Sequence, residues 1–150
     1  NLQPSPAETA PGHLIALCRR GGGYGDNEKG HIVQSESNDG GRTWTQGHNT
    51  SFPNPNSAVE LLKLASGNLL LIYNDSMNSR SPLTAALSSD GGKTWPTRVN
   101  IAASRNSYAY PSAAQSADGR IHLVYTTDER KVVARAVFTE ADLLKSAPAK

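Results

Sequence analysis

The chain has 150 residues, a net charge of +2, 37% hydrophobic residues, 13 glycines and 9 prolines. That length has room for one ordinary domain with its own core. So small a charge, with no block of like charges, argues against a nucleic-acid partner, and no stretch approaches the roughly 20 apolar residues of a membrane-spanning helix. Cys18 is the one cysteine, so no internal disulfide can form. The chain opens at Asn1 with no signal-peptide pattern, which reads as part of something longer or as a processed product.

Taken in order, the apolar stretches predict strands near 2–9, 13–18, 30–37 and 43–47. Cys18 closes the apolar run 14–18 and is expected to be a small buried hydrophobe. Gly21-Gly22-Gly23-Tyr24-Gly25 lacks the spacing and the lysine of a phosphate loop and reads as a loop over a pocket mouth. Ser37-Asn38-Asp39-Gly40-Gly41-Arg42-Thr43-Trp44 comes after the third strand. In it, Asp-Gly-Gly supplies a tight turn, the hydroxyls of Ser and Thr can hold its arms, and Trp anchors the next strand to apolar neighbours.

A second set of strands is expected near 57–64, 68–74, 82–88 and 95–101, with Ser88-Ser89-Asp90-Gly91-Gly92-Lys93-Thr94-Trp95 repeating the octapeptide before the last of them. A third set is expected near 110–116, 120–126 and 131–138. It has no octapeptide and no fourth strand. Thr139 followed by Glu140 and Asp142 predicts a capped short helix, with a frayed tail after it. Gly12, Gly67 and Gly119 each precede an apolar run, at steps of about 50 residues. A period of that size built of short strands indicates a propeller. The predicted class is therefore all-β, with about three four-stranded antiparallel blades at 1–48, 54–101 and 106–138, then a helix and tail at 139–150. Three open blades leave two apolar faces in water, so further blades are expected, from the same protein or from a second copy.

In such a fold, ligands meet residues at the ends of the inner strands around the axis. This selects Arg19 and Arg20; Asn54, Asn56, Glu60, Asn74, Asp75 and Arg80; and Tyr108, Tyr110, Tyr125 and Arg130. Glu60 stands out because a carboxylate in an apolar strand needs a partner. Tyr110 also reads as a strand cap ahead of Pro111, and Tyr125 as core. His13, His31, His48 and His122 lack ligand spacing, so no metal or other cofactor is expected.

The two S-x-D-G-G-[RK]-T-W octapeptides resemble the Asp box, or BNR repeat, of the sialidase (neuraminidase) superfamily. Residues 54–57, 69–74, 80–83 and 108–112 are also similar to exo-sialidase-like members. The resemblance implies the C-terminal half of a six-bladed propeller, with the boxes on the rim. It implies a glycoside hydrolase acting on terminal sialic acid or another acidic sugar, with a glycan or small-molecule sugar as partner. It places the reacting pair at Tyr108, as nucleophile, and Glu60, as its partner. It assigns substrate contacts to Arg19, Arg80, Asn56 and Asn74, the last standing where well-characterised sialidases carry arginine. A non-catalytic carbohydrate-binding propeller is the alternative.

Overall fold

The computed structural model describes residues 2–21 and 30–146. Most of the glycine-rich loop, including Tyr24, and the tail from 147 lie outside the described residues.

Three antiparallel sheets follow one another along the chain. β1 (Leu2–Ala10), β2 (His13–Arg19), β3 (His31–Ser37) and β4 (His48–Pro53) form the first, in sequence order. β5 (Glu60–Lys63), β6 (Leu69–Asn74), β7 (Leu83–Ser88) and β8 (Thr97–Ala102) form the second. β9 (Ala109–Gln115), β10 (Arg120–Thr127) and β11 (Val132–Thr139) form the third. Each sheet is a meander starting from its inner strand, and the three are blades of a β-propeller. Inner strands lie beside each other. The Leu61 amide on β5 donates to Ser5 Oγ on β1 at 2.8 Å, and the Ala113 amide on β9 donates to a Glu60 oxygen at 3.3 Å.

Burial follows from stacking. All six residues of β6 are buried, because this strand has a blade on either side. Leu69, Leu71 and Tyr73 pack with Ile15, Leu17 and Phe52 of the first blade, whereas Leu70 and Ile72 pack with Ile121 and Leu123 of the third. The flanking blades have one covered face each. On the first, Pro4, Pro6, Ala16, Cys18, Ser35 and Trp44 line an open groove of about 330 Å³. On the third, Val124 and Val137 are about 40% exposed and Val133 is 74% exposed. Cys18 is thus half-buried on an uncovered face, and burial pushes its thiol up.

Both octapeptides close in the same way. Asp39 accepts from the Thr43 amide at 2.9 Å and from its hydroxyl at 2.5 Å, and Asp90 accepts from Thr94 at 2.8 and 2.6 Å. The serine hydroxyls take the amides of Gly41 and Gly92, each at 2.9 Å. Each indole donates back to its turn, Trp44 to Gly41 O at 2.9 Å and Trp95 to Gly92 O at 3.0 Å. These bonds keep the chain irregular beyond the turn. The fourth strand therefore starts at His48 and not near 43. Similarly, Asn54 exchanges two bonds with Ser57, at 2.9 and 3.0 Å, so β5 begins at Glu60 instead of 57.

The threonine hydroxyls and amides hold the Asp39 and Asp90 carboxyls down at about 2. A carboxylate lowered in the fold stabilises above its unfolded value of about 3.9 and loses that contribution as pH falls through the folded value. An Asp39→Asn, Asp90→Asn double variant should be less stable than the parent in urea at pH 7. The gap should narrow progressively as pH falls from about 4 and be lost below about 2; a gap as large at pH 2 as at pH 7 would contradict it.

The two turns differ in what surrounds them. Gly41 and Gly92 have φ of 87° and 91°. A Cβ on Gly41 would find ordinary contacts at 3.8 and 3.9 Å, but one on Gly92 would sit 2.8 Å from Ile15 Cδ1. Both alanine variants should lose about 1–2 kcal/mol to left-handed backbone. Gly92→Ala should lose somewhat more, about 1 kcal/mol, because the end of the packed Ile15 side chain must shift to make room. Equal urea midpoints for the two would refute the contact.

α1 (Glu140–Ser146) closes the described chain. Thr139 and Asp142 cap it reciprocally, through Thr139 N to Asp142 Oδ2 at 2.9 Å and Asp142 N to Thr139 Oγ1 at 3.2 Å. Leu143 seals it against the core between the second and third blades. Among the described residues, no helix is long and apolar enough to cross a membrane.

Candidate functional site

The site forms where the chain enters the inner strands. Gln3, Asn56 and Tyr110 stand at these three entrances with φ of 50°, 57° and 52°. Left-handed backbone is costly for a side chain as large as tyrosine, and such conformations gather at functional sites. At Tyr110 it accompanies a ring that is 39% exposed.

Arginines from all three blades act on this ring. The Arg80 guanidinium carbon lies 5.9 Å from its centroid, within cation–π range. Partial burial pushes the Tyr110 phenol up, but Arg80 beside it and the charges of Arg130 and Arg19 outweigh this and hold it below the ordinary phenol range. Arg19 ends β2, and its Nε is buried with no hydrogen-bond partner among the described residues. Arg130 stands in the β10–β11 turn with φ of 73°. Arg20 points elsewhere, onto Asn49 of β4.

Arg80 is held in place by its surroundings. Its Nη2 donates to Asn56 O at 3.2 Å. Its carbonyl accepts from the Asn74 side chain at 2.9 Å and from the Tyr108 amide at 2.8 Å. Asn74 has no exposed surface and lies under the mouth, so it does not present itself to a ligand. Asn54 is likewise buried, closing its own turn.

Among the described residues no hydrogen bond joins Glu60 to Tyr108; each is engaged elsewhere. Tyr108 is buried, shares a 2.6 Å hydrogen bond with Ser104, and packs edge-on against Tyr125 with centroids 5.8 Å apart. Glu60 is turned to the Ala113 amide of the neighbouring inner strand, and burial raises its carboxyl despite that bond. Tyr110, from the wider set of mouth residues, is the exposed ring that Arg80 meets, and the charge of Arg130 acts on it. The signal for Tyr110 lay in the repeat itself: Gln3-Pro4-Ser5 aligns with Tyr110-Pro111-Ser112, which puts Tyr110, not Tyr108, at the entrance.

The BNR repeat-like domain family matches residues 1–123, and the chain belongs to that family. No curated protein matches the sequence. Among solved structures, the Hadza microbial sialidase Hz136 superposes with a TM-score of 0.71 at 21% identity, over 93% of this chain and 27% of its own. The NanB sialidase of Streptococcus pneumoniae gives 0.76 at 16% identity, over 93% and 23%. The intramolecular trans-sialidase of Ruminococcus gnavus gives 0.70 at 19% identity, over 88% and 31%. At these identities the likeness is one of fold, and the chain spans under a third of each of these proteins.

Proposed function

We infer that the mouth around Tyr110 binds the carboxylate of a terminal acidic sugar, of the sialic acid type, and that the chain forms part of a glycoside hydrolase acting on it. The observation that carries this reading is Arg80 over one exposed tyrosine, with the charges of Arg130 and Arg19 acting on the same phenol. Guanidinium groups grip carboxylates through paired, charge-assisted bonds that lysine does not match. A tyrosine is a suitable nucleophile toward an anionic sugar, because a neutral phenol does not repel it, and sialidases depart from other glycosidases in using one. Nearby cations ease its ionisation. In this reading the Tyr110 oxygen bonds to the anomeric carbon as the glycosidic C–O bond breaks. Its proton passes to a base, and the departing oxygen receives one from an acid. Glu60 serves as a strut between inner strands. The octapeptides act as rim fasteners of the Asp-box kind.

The uncovered faces fit further blades, from the same protein or a second copy. Trp95 is covered by Phe52 on β4 of the blade before it, with ring centroids 5.7 Å apart. Trp44 occupies the matching position and is 41% exposed. A four-stranded blade with a large apolar residue on its outer strand would cover it in the same way.

A second reading, a carbohydrate-binding propeller without turnover, is favoured by the engagement of Glu60 with Ala113 and of Tyr108 with Ser104. A fluorogenic sialoside assay on the complete protein, run beside glycan binding, separates the two. Hydrolysis supports the first, and saturable binding without hydrolysis supports the second. Neither result in a folded protein would overturn both.

A further inference from the structure

We propose that Asn74 is a positioning residue, which from beneath the mouth fixes where Arg80 presents its guanidinium to Tyr110. Its consequence for a ligand rests on the acidic-sugar reading; its consequence for Tyr110 does not.

Asn74 is the last residue of β6, and its backbone pairs with Leu83 of β7. Residues 75–82 loop out between them and carry Arg80. The Asn74 side-chain amide has two N–H donors. They go to Arg80 O at 2.9 Å and to Pro82 O at 3.2 Å, on either side of the Ser81–Pro82 bond. One fully buried group thus ties the returning end of the loop to the sheet at two points. A second tether comes from the third blade's approach segment. The Tyr108 amide donates to Arg80 O at 2.8 Å, Ser81 Oγ donates to Ser104 O at 2.7 Å, and Ser104 Oγ meets the Tyr108 hydroxyl at 2.6 Å. The Arg80 backbone is therefore fixed from two blades, and its side chain extends from that point to Asn56 O and the Tyr110 ring.

This explains a polar residue at the end of a strand whose other five members are leucine, isoleucine and tyrosine. A buried amide without partners is unfavourable; here both N–H donors are spent on carbonyls of the one loop that bears the arginine, while Oδ1 is buried with no hydrogen-bond partner among the described residues. Because Asn74 has no exposed surface, it can influence a ligand only through Arg80.

The test is the titration of the Tyr110 phenol in the full chain, read by ultraviolet difference against a Tyr110→Phe background. Arg80→Ala should move that titration upward. Asn74→Ala should move it in the same direction by a comparable amount, with circular dichroism unchanged. The double variant should add nothing further, since the two residues act as one unit. Asn74→Ser, which keeps one donor, should lie between the parent and Asn74→Ala, and it serves should the alanine variant not fold. The proposal is overturned if Tyr110 titrates in Asn74→Ala as in the parent, or if the two single shifts simply sum. It is also overturned if neither Asn74 variant folds, because Asn74 would then hold the blade and not the arginine. Sialoside affinity should fall about 10-fold or more, as for a misplaced binding group. A shifted Tyr110 with unchanged sialoside affinity would uphold the positioning and count against the acidic-sugar reading.

Discussion

Tyr110→Phe should abolish sialoside turnover by the complete protein, by about 10³-fold or more, while leaving its fold intact. A phenyl ring has no oxygen with which to form the covalent intermediate, so the whole contribution of that route is lost and not merely a share of binding. Folding should survive because the ring is 39% exposed and belongs to neither core cluster. The phenol is the group held low by Arg80, Arg130 and Arg19. On the reading proposed above, Arg80→Ala should therefore raise KM strongly and also lower kcat, because it would remove both a carboxylate contact and a cation beside the nucleophile. Tyr108→Phe is the control. It loses a hydrogen bond to Ser104 and should cost about 1 kcal/mol of stability, with turnover by the folded protein lowered far less than by Tyr110→Phe, because the Tyr108 amide still holds Arg80 O. If Tyr108→Phe is dead and Tyr110→Phe active, the assignment is reversed.

Trp95→Ala should destabilise the chain by about 3–5 kcal/mol, the range for large aromatic truncations in cores. Trp44→Ala should cost about 1 kcal/mol or less, as for exposed positions. The two tryptophans make the same bond to their own turns, so this bond cancels in the comparison. What differs is the surrounding: Trp95 packs edge-on against Phe52 and joins the core between the first and second blades. Arg98 lies across the other side of this cluster, its guanidinium carbon 4.7 Å from the Phe52 centroid. Removing the indole takes away the edge contact with Phe52 and leaves a gap beside the core. Urea denaturation of the two variants side by side measures the difference, and similar midpoints would refute the packing argument.

The blades were legible in the sequence for a physical reason. The octapeptide's side-chain bonds span at most four residues, from Ser37 to Gly41 or from Asp39 to Thr43, so the pattern carries most of its structure with it. The helix cap at Thr139 and Asp142 is equally local. The doubly apolar run of β6 announced a strand covered on both sides. The site was less legible because its geometry depends on register. Tyr108 and Tyr110 are two residues apart, and strand alternation alone gives them the same side. The positive φ of Tyr110 breaks that alternation, and nothing in a residue's identity predicts it for tyrosine. Arg130 was obscured in the same way, since Asp128, Glu129 and Arg130 all adopt positive φ without a glycine among them. Asn74 was visible as a polar residue at a strand end, but its partners lie six and eight residues on. Residue order alone does not distinguish an amide facing a ligand from one facing a carbonyl of its own loop.

The pairing of one shielded and one exposed indole gives the protein a built-in optical gauge. Trp95 is partly buried against the core between the first and second blades and should emit further to the blue, with less access to iodide, than Trp44. Trp44, 41% exposed on the open side of the first blade, should emit toward the red and be quenched freely. When another sheet closes over that side, Trp44 alone changes environment, and Trp95 stays constant as the reference. Docking of a further sheet on that face, as proposed above, would be readable in this way in real time, at low concentration and without any label.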